Sequence, residues 1–148
     1  MTFLEQLRLT LERDEGIILE VYEDHLQNLT CGIGHLITEK DQEWGRPVGT
    51  ELTSERVTEL FEADIDNVLR DVEYIFPDFG ELPINAQVTV ASLVFQLGLP
   101  RYIKFVKHRR CLELGDWDGA ARELRNSRLY KQTPNRTERH AQRLEAIA

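Results

Sequence analysis

The chain has 148 residues, 41% hydrophobic and 30% charged, with a net charge of −8. Those proportions are ordinary for one globular domain or two small lobes sharing a core, and a chain this long buries about 68–70% of its unfolded surface, so it needs no disulfide framework or structural metal. No run approaches the roughly 20 apolar residues that span a bilayer, and Glu5, Arg8 and Glu12 interrupt the N-terminal apolar positions, which argues against a signal peptide or anchor.

Phe3, Leu4, Leu7 and Leu11 share one helical face, so residues 2–11 are predicted as a helix, with Glu15 directly after it. Residues 17–22, IILEVY, are β-branched and aromatic and read as a strand. A turn at 25–28 follows, with Asn28 the residue suited to a left-handed conformation, and LTCGIG at 29–34 returns as a second strand. The stretch 39–52 is a loop by composition, and so long a loop is often functional. Thr53 caps a long amphipathic helix, about 53–75, that ends before Pro77. Asn85 is the expected cap of the next helix and Gly98 its stop; QVTVASLVFQL between them is apolar on nearly every side, as a central bundle helix is. Three shorter helices are expected: 105–114 stopped by Gly115, 117–125 capped by Asp116, and 136–147 capped by Asn135 with Glu138 completing a capping box.

This pattern predicts an α+β fold. An N-terminal α/β lobe, about 14–60, is joined by the helix at about 53–75 to a helical lobe, about 77–148 plus helix 2–12, with a substrate cleft between them. Charge is also unevenly placed, as two faces or two lobes with different electrostatic roles would have it: residues 1–100 hold 6 basic and 20 acidic residues, and residues 101–148 hold 12 basic and 6 acidic. Cys31 and Cys111, far apart in sequence, are expected as two free thiols.

No P-loop, GxGxxG, HExxH or GxSxG motif is present, so no cofactor is expected, and the scattered His25, His35, His108 and His140 argue against a metal site. Carboxylates remain. Glycoside hydrolysis uses two, one to protonate the leaving oxygen and one acting from the other face of the ring. Glu15 stands before an apolar strand and Asp24 at its far end, but among 26 acidic residues their position alone is also what two solvated turn carboxylates would show.

The run Asp14-Glu15-Gly16, Leu19, Tyr22, Asp24, Thr30, Gly32-Ile33-Gly34-His35 resembles the active-site stretch of T-even phage lysozymes, with Glu, Asp and Thr spaced by nine and then six residues. Val94-Phe95-Gln96-Leu97-Gly98 resembles that family's central helix. Trp117-Asp118, Ala120-Ala121, Ser127-Arg128, Tyr130 and Gln132-Thr133-Pro134-Asn135-Arg136 resemble its C-terminal lobe. The resemblance implies a muramidase that cuts the β-1,4 link between N-acetylmuramic acid and N-acetylglucosamine in peptidoglycan, by inversion, for host lysis. Glu15 is then the general acid, with Asp24 and Thr30 holding the water. Leu36, Phe95, His108 and Glu123 fall at sugar-contact positions, Arg136 at the position of an arginine supporting the acid, and Asp64 at the partner of His35. It also implies a monomer that stays in the host cytoplasm until a holin releases it to the wall. The alternative is a weakly active wall-binding or tail-associated protein with the same fold.

Four residues or groups are weighed separately. His35 is expected as half of a surface His–Asp pair rather than a catalyst, and Trp117 as core. Trp44 could stack on a sugar or fold back on its loop. The basic run Lys104, Lys107, Arg109 and Arg110 lacks a nucleic-acid recognition motif and is expected as a solvated helix face.

Overall fold

The computed structural model describes all 148 residues. It is α+β: α1 (Phe3–Glu15), β1 (Ile18–Glu23), β2 (Leu29–Gly32), β3 (His35–Leu36) and α2 (Ser54–Ile75) are followed by a 3-10 turn at Phe79–Glu81 and then α3 (Ile84–Leu97), α4 (Leu99–Tyr102), α5 (Val106–Glu113), α6 (Trp117–Arg125), α7 (Arg128–Gln132) and α8 (Pro134–Glu145). Two compact units result, residues 8–67 and residues 1–7 with 68–148.

In the 8–67 unit the sheet is antiparallel in the order β1-β2-β3, with Tyr22 opposite Thr30 and Thr30 opposite Leu36. Its third strand is a feature the expected hairpin lacked. Gly32 and Gly34, both at φ 61, turn the chain between β2 and β3 in the left-handed region, which glycine enters without the strain a Cβ brings. Val21, Cys31, Ile37 and Leu60 form the core here, flanked by Leu29 and Leu52. The guanidinium of Arg8 lies 5.4 Å from the Phe61 ring centroid, a cation–π contact from α1 to α2.

Several expectations change. The first helix continues to Glu15, because Glu12, Arg13 and Asp14 are helix-compatible; it stops at Gly16, at φ 76, whose N–H reaches the Glu12 carbonyl. In the hairpin turn the left-handed residue is Gln27 (φ 65), not Asn28. Asp24 takes the Leu26 and Asn28 N–H groups and thereby sets the turn geometry. The 39–52 loop is ordered: backbone bonds join Val21 to Thr50 and Gly49, and Leu52 to Leu19, extending the sheet beyond β1.

In the other unit α3 packs on α8 and α4, and α6 on α5 and α8. Ten consecutive or near-consecutive α3 residues, from Ala86 to Leu97, are buried, as its all-round apolarity predicts. Thr53 and Asp116 cap as expected. Asn85 does not; it lies inside α3 and donates to the Arg143 carbonyl, because Pro83 opens the helix. Nor do Asn135 and Glu138 form a capping box. Pro134 starts α8 early, and Glu138 instead accepts from Arg125 and Tyr130. Trp117 is half-buried beside Gly115 rather than core. The short α4 and α7 are additional to the expected helices, since four or five residues carry too little periodicity to read.

Candidate active site

Glu15, Asp24, Thr30 and Leu36 all belong to the 8–67 unit. Glu15 ends α1, and Gly34 is packed against it so closely that a Cβ there would lie 2.9 Å from Oε2 and 3.1 Å from Cγ. The carboxyl therefore rests on bare backbone.

Asp24 follows β1. Its Oδ1 accepts from the Asn28 N–H at 2.8 Å and the Leu26 N–H at 2.9 Å. The Asn28 bond above all holds its carboxyl below the ordinary range; the Leu26 bond adds to it against partial desolvation. The Asn28 carbonyl in turn accepts from the Asp24 N–H at 2.9 Å and from the Thr30 hydroxyl at 3.0 Å. One peptide group thus ties Asp24 to Thr30. Thr30 is buried, and with its proton committed to Asn28 its oxygen faces any further partner as an acceptor. Tyr22, opposite Thr30 in the ladder, has its phenol pKa raised by burial and then by the charges of both Glu15 and Asp24. The two acids therefore share one phenol as electrostatic neighbour. The resembling stretch contains Tyr22 and Gly34 but assigns them no role, and Asn28 is not among the expected site residues; the Asp-x-x-x-Asn turn is the sequence signal for it.

His35 sits between two carboxylates. Nδ1 is 2.7 Å from Asp64 Oδ2 and Nε2 is 2.8 Å from Asp41 Oδ2. Burial lowers its proton affinity, but the hydrogen bonds to Asp64 and Asp41 and their charges outweigh that and lift the pKa to about 9. The pair with Asp64 is present as expected, though largely buried, and Asp41 is an unforeseen third member. Nearby, Arg56 grips the buried Glu43 through Nε and Nη2, both at 3.0 Å. The Cys31 thiol is pushed up to about 11 by burial and by Glu43, Asp41 and Asp64, against Arg56, which leaves it an inert core thiol. Cys111 is free as well.

The remaining positions lie in the other unit. Phe95 is half-buried on α3, Glu123 half-buried on α6, and Arg136 half-buried in the first turn of α8. Leu36, in the sheet unit, is 54% exposed and Trp44 56% exposed. His108 corrects the sequence expectation. It is 1% exposed, its Nδ1 lies 3.0 Å from the Ala120 carbonyl, and its ring is edge-on to Tyr102 and Phe105. Burial and the Arg109 charge push its pKa down to about 4 against the Ala120 bond. Such a side chain is core and offers a sugar nothing. Lys104, Lys107 and Arg110 are solvent-exposed, as a solvated face requires, but Arg109 departs from that expectation and is half-buried. No cluster of three His, Cys, Asp or Glu residues is arranged to hold a metal.

A three-stranded sheet that carries two carboxylates, in a chain whose other unit is built on a buried central helix, is the architecture of a lysozyme-class glycoside hydrolase. The phage lysozyme family model matches residues 12–142, and the chain belongs to that family. It is 35% identical over 152 aligned residues to "Probable T4-type lysozyme 2" of Dictyostelium discoideum, covering 90% of this chain and 89% of the relative. "Probable T4-type lysozyme 1" of the same organism is 30% identical, with 87% of each chain covered. The "Pre-baseplate central spike protein Gp5" of Enterobacteria phage T4 is 31% identical over 87% of this chain, but that match occupies 26% of the spike protein. The chain is accordingly a lysozyme, with peptidoglycan as its substrate class.

Proposed function

We propose that this lysozyme hydrolyses the β-1,4 bond between N-acetylmuramic acid and N-acetylglucosamine with inversion. The carrying observation is the Asn28 backbone, whose N–H donates to Asp24 Oδ1 and whose carbonyl accepts from the Thr30 hydroxyl at one end of the β1–β2 hairpin. With Oδ1 taken by backbone amides, a water can donate to Asp24 Oδ2 and to the Thr30 oxygen, and so turn a lone pair toward the anomeric carbon. Glu15 gives its proton to the leaving glycosidic oxygen as the C–O bond breaks. The water forms the new C–O bond and passes a proton to Asp24; a proton returned from Asp24 to Glu15 through solvent resets the site. Leu36, Phe95 and Glu123 are proposed as sugar contacts and Arg136 as support for the acid.

In wall-lysis assays Glu15→Gln should lose nearly all activity with its fold intact, and a fully active Glu15→Gln would end this reading. On a defined oligosaccharide the α-anomer should appear first by proton NMR; initial β-product would establish retention instead. We further propose action as a monomer at the end of infection, held in the host cytoplasm until a holin opens the membrane. Expression in bacteria with and without a holin tests this: lysis in both cultures would refute it.

A further inference from the structure

Both ring nitrogens of His35 face carboxylate oxygens, at 2.7 and 2.8 Å. Neutral imidazole has one N–H, so only the imidazolium can donate to both. The two acids come from different elements. Asp64 projects from α2, while Asp41 belongs to the loop after β3, where it also accepts from the Thr38 N–H at 2.8 Å and closes the Thr38–Asp41 turn. His35 is thus a staple joining α2, β3 and that loop.

The staple sits one residue from the site. Gly34, on one side of His35, is the backbone against which Glu15 rests. Leu36, on the other side, pairs with Thr30, and His35 itself pairs with Cys31. A strand of only two residues has little ladder of its own to hold it. We propose that the Asp41–His35–Asp64 clamp is a positioning device for the lysozyme reaction, in which Asp41 anchors β3 so that Gly34 stays packed on the Glu15 carboxyl and Leu36 stays registered against Thr30. This inference rests on the roles proposed for Glu15 and Thr30.

The charged groups that bear on the ring are Asp64 from α2 and Asp41 from the loop. Glu43 and Arg56 stand behind the register partner Cys31, and Glu15 of α1 lies against Gly34. When the ring loses its second proton, one carboxylate faces a lone pair and must withdraw. The loop and β3 then part from α2, and Glu15 and Thr30 lose their settings. Activity should fall on the alkaline side as His35 titrates.

The test is the pH profile of kcat and KM on solubilised peptidoglycan at 25 °C for wild type, Asp41→Asn, Asp41→Glu and Glu15→Gln, with the His35 titration followed by NMR. The wild-type alkaline limb should lie near pH 9, where the clamped ring gives up its second proton. Asp41→Asn should move the limb and the NMR titration down together by one unit or more, mainly in kcat, and Asp41→Glu should restore much of the shift. If Asp41→Asn lowers the NMR titration but leaves the limb in place, or merely lowers Tm, the clamp does not position the site. An active Glu15→Gln would instead overturn the catalytic assignment itself, and is read separately.

Discussion

Gly34 and Glu15 meet where no side chain fits: a Cβ on Gly34 would stand 2.9 Å from Oε2, 3.0 Å from Cδ and 3.1 Å from Cγ of Glu15. Gly34 also has φ 61, in the left-handed region. Gly34→Ala therefore carries two separable penalties. The backbone strain should lower stability by about 1 kcal/mol. The displaced carboxyl should lower kcat at least tenfold, since misplacement by about 1 Å can cost a hundredfold. Kinetics and thermal melts on one preparation separate the two, and unaltered kcat would show that Glu15 works equally well from a shifted position.

Arg56→Ala leaves Glu43, 7% exposed, without its bidentate partner. An abandoned buried charge costs about 3–5 kcal/mol. Arg56 itself is one-fifth exposed, so water can partly replace it, and about 2 kcal/mol is expected in urea unfolding. Arg56→Ala combined with Glu43→Gln should recover much of that loss, because the charge goes with its partner.

Two histidines set opposite pH slopes. His108 has a folded pKa of about 4, below the unfolded value of about 6.5, so the unfolded chain binds the extra proton and stability falls as pH drops through that window. Buried His140, held well below its ordinary value by burial and by Arg143, Arg136 and Arg139, acts in the same direction. His35 has a folded pKa of about 9, so its contribution is complete below about 6.5 and is lost as pH rises through 9. His108 and His35 are each worth about 3 kcal/mol across their windows. Tm should peak near pH 6.5. His35→Asn should flatten the alkaline side alone; an unchanged alkaline slope in that variant would assign it to other groups.

Gly119 lies under the α6 cap. A Cβ there would collide with the Asp116 carboxylate, whose Oδ1 accepts the Gly119 N–H at 2.9 Å. In an exposed helix interior alanine is the better residue, but here Gly119→Ala should cost about 1 kcal/mol, the worth of a broken N-cap. A raised Tm would show that Asp116 re-forms the cap around the methyl group.

The sequence by itself determined the α+β order, the buried α3, the caps at Thr53 and Asp116, and the candidates Glu15, Asp24 and Thr30. The elements and caps rest on local chemistry, side-chain periodicity and short-range capping. The three candidates rest on the resemblance of their motif to the phage lysozyme stretch, since position alone does not separate Glu15 and Asp24 from solvated turn carboxylates. Tertiary structure decided whatever depends on partners distant in the chain. Whether His108 met a sugar or the core turned on Ala120, Tyr102 and Phe105 closing around it. Glu138 left its expected cap because Arg125, thirteen residues back, offers a bidentate charged partner stronger than a helix-end N–H. Asp41 joined His35 because a loop that composition shows only as polar folds so that its carboxylate meets a ring six residues earlier, already paired to α2. Burial and long-range pairing arise from packing of the whole chain, and no local pattern encodes them.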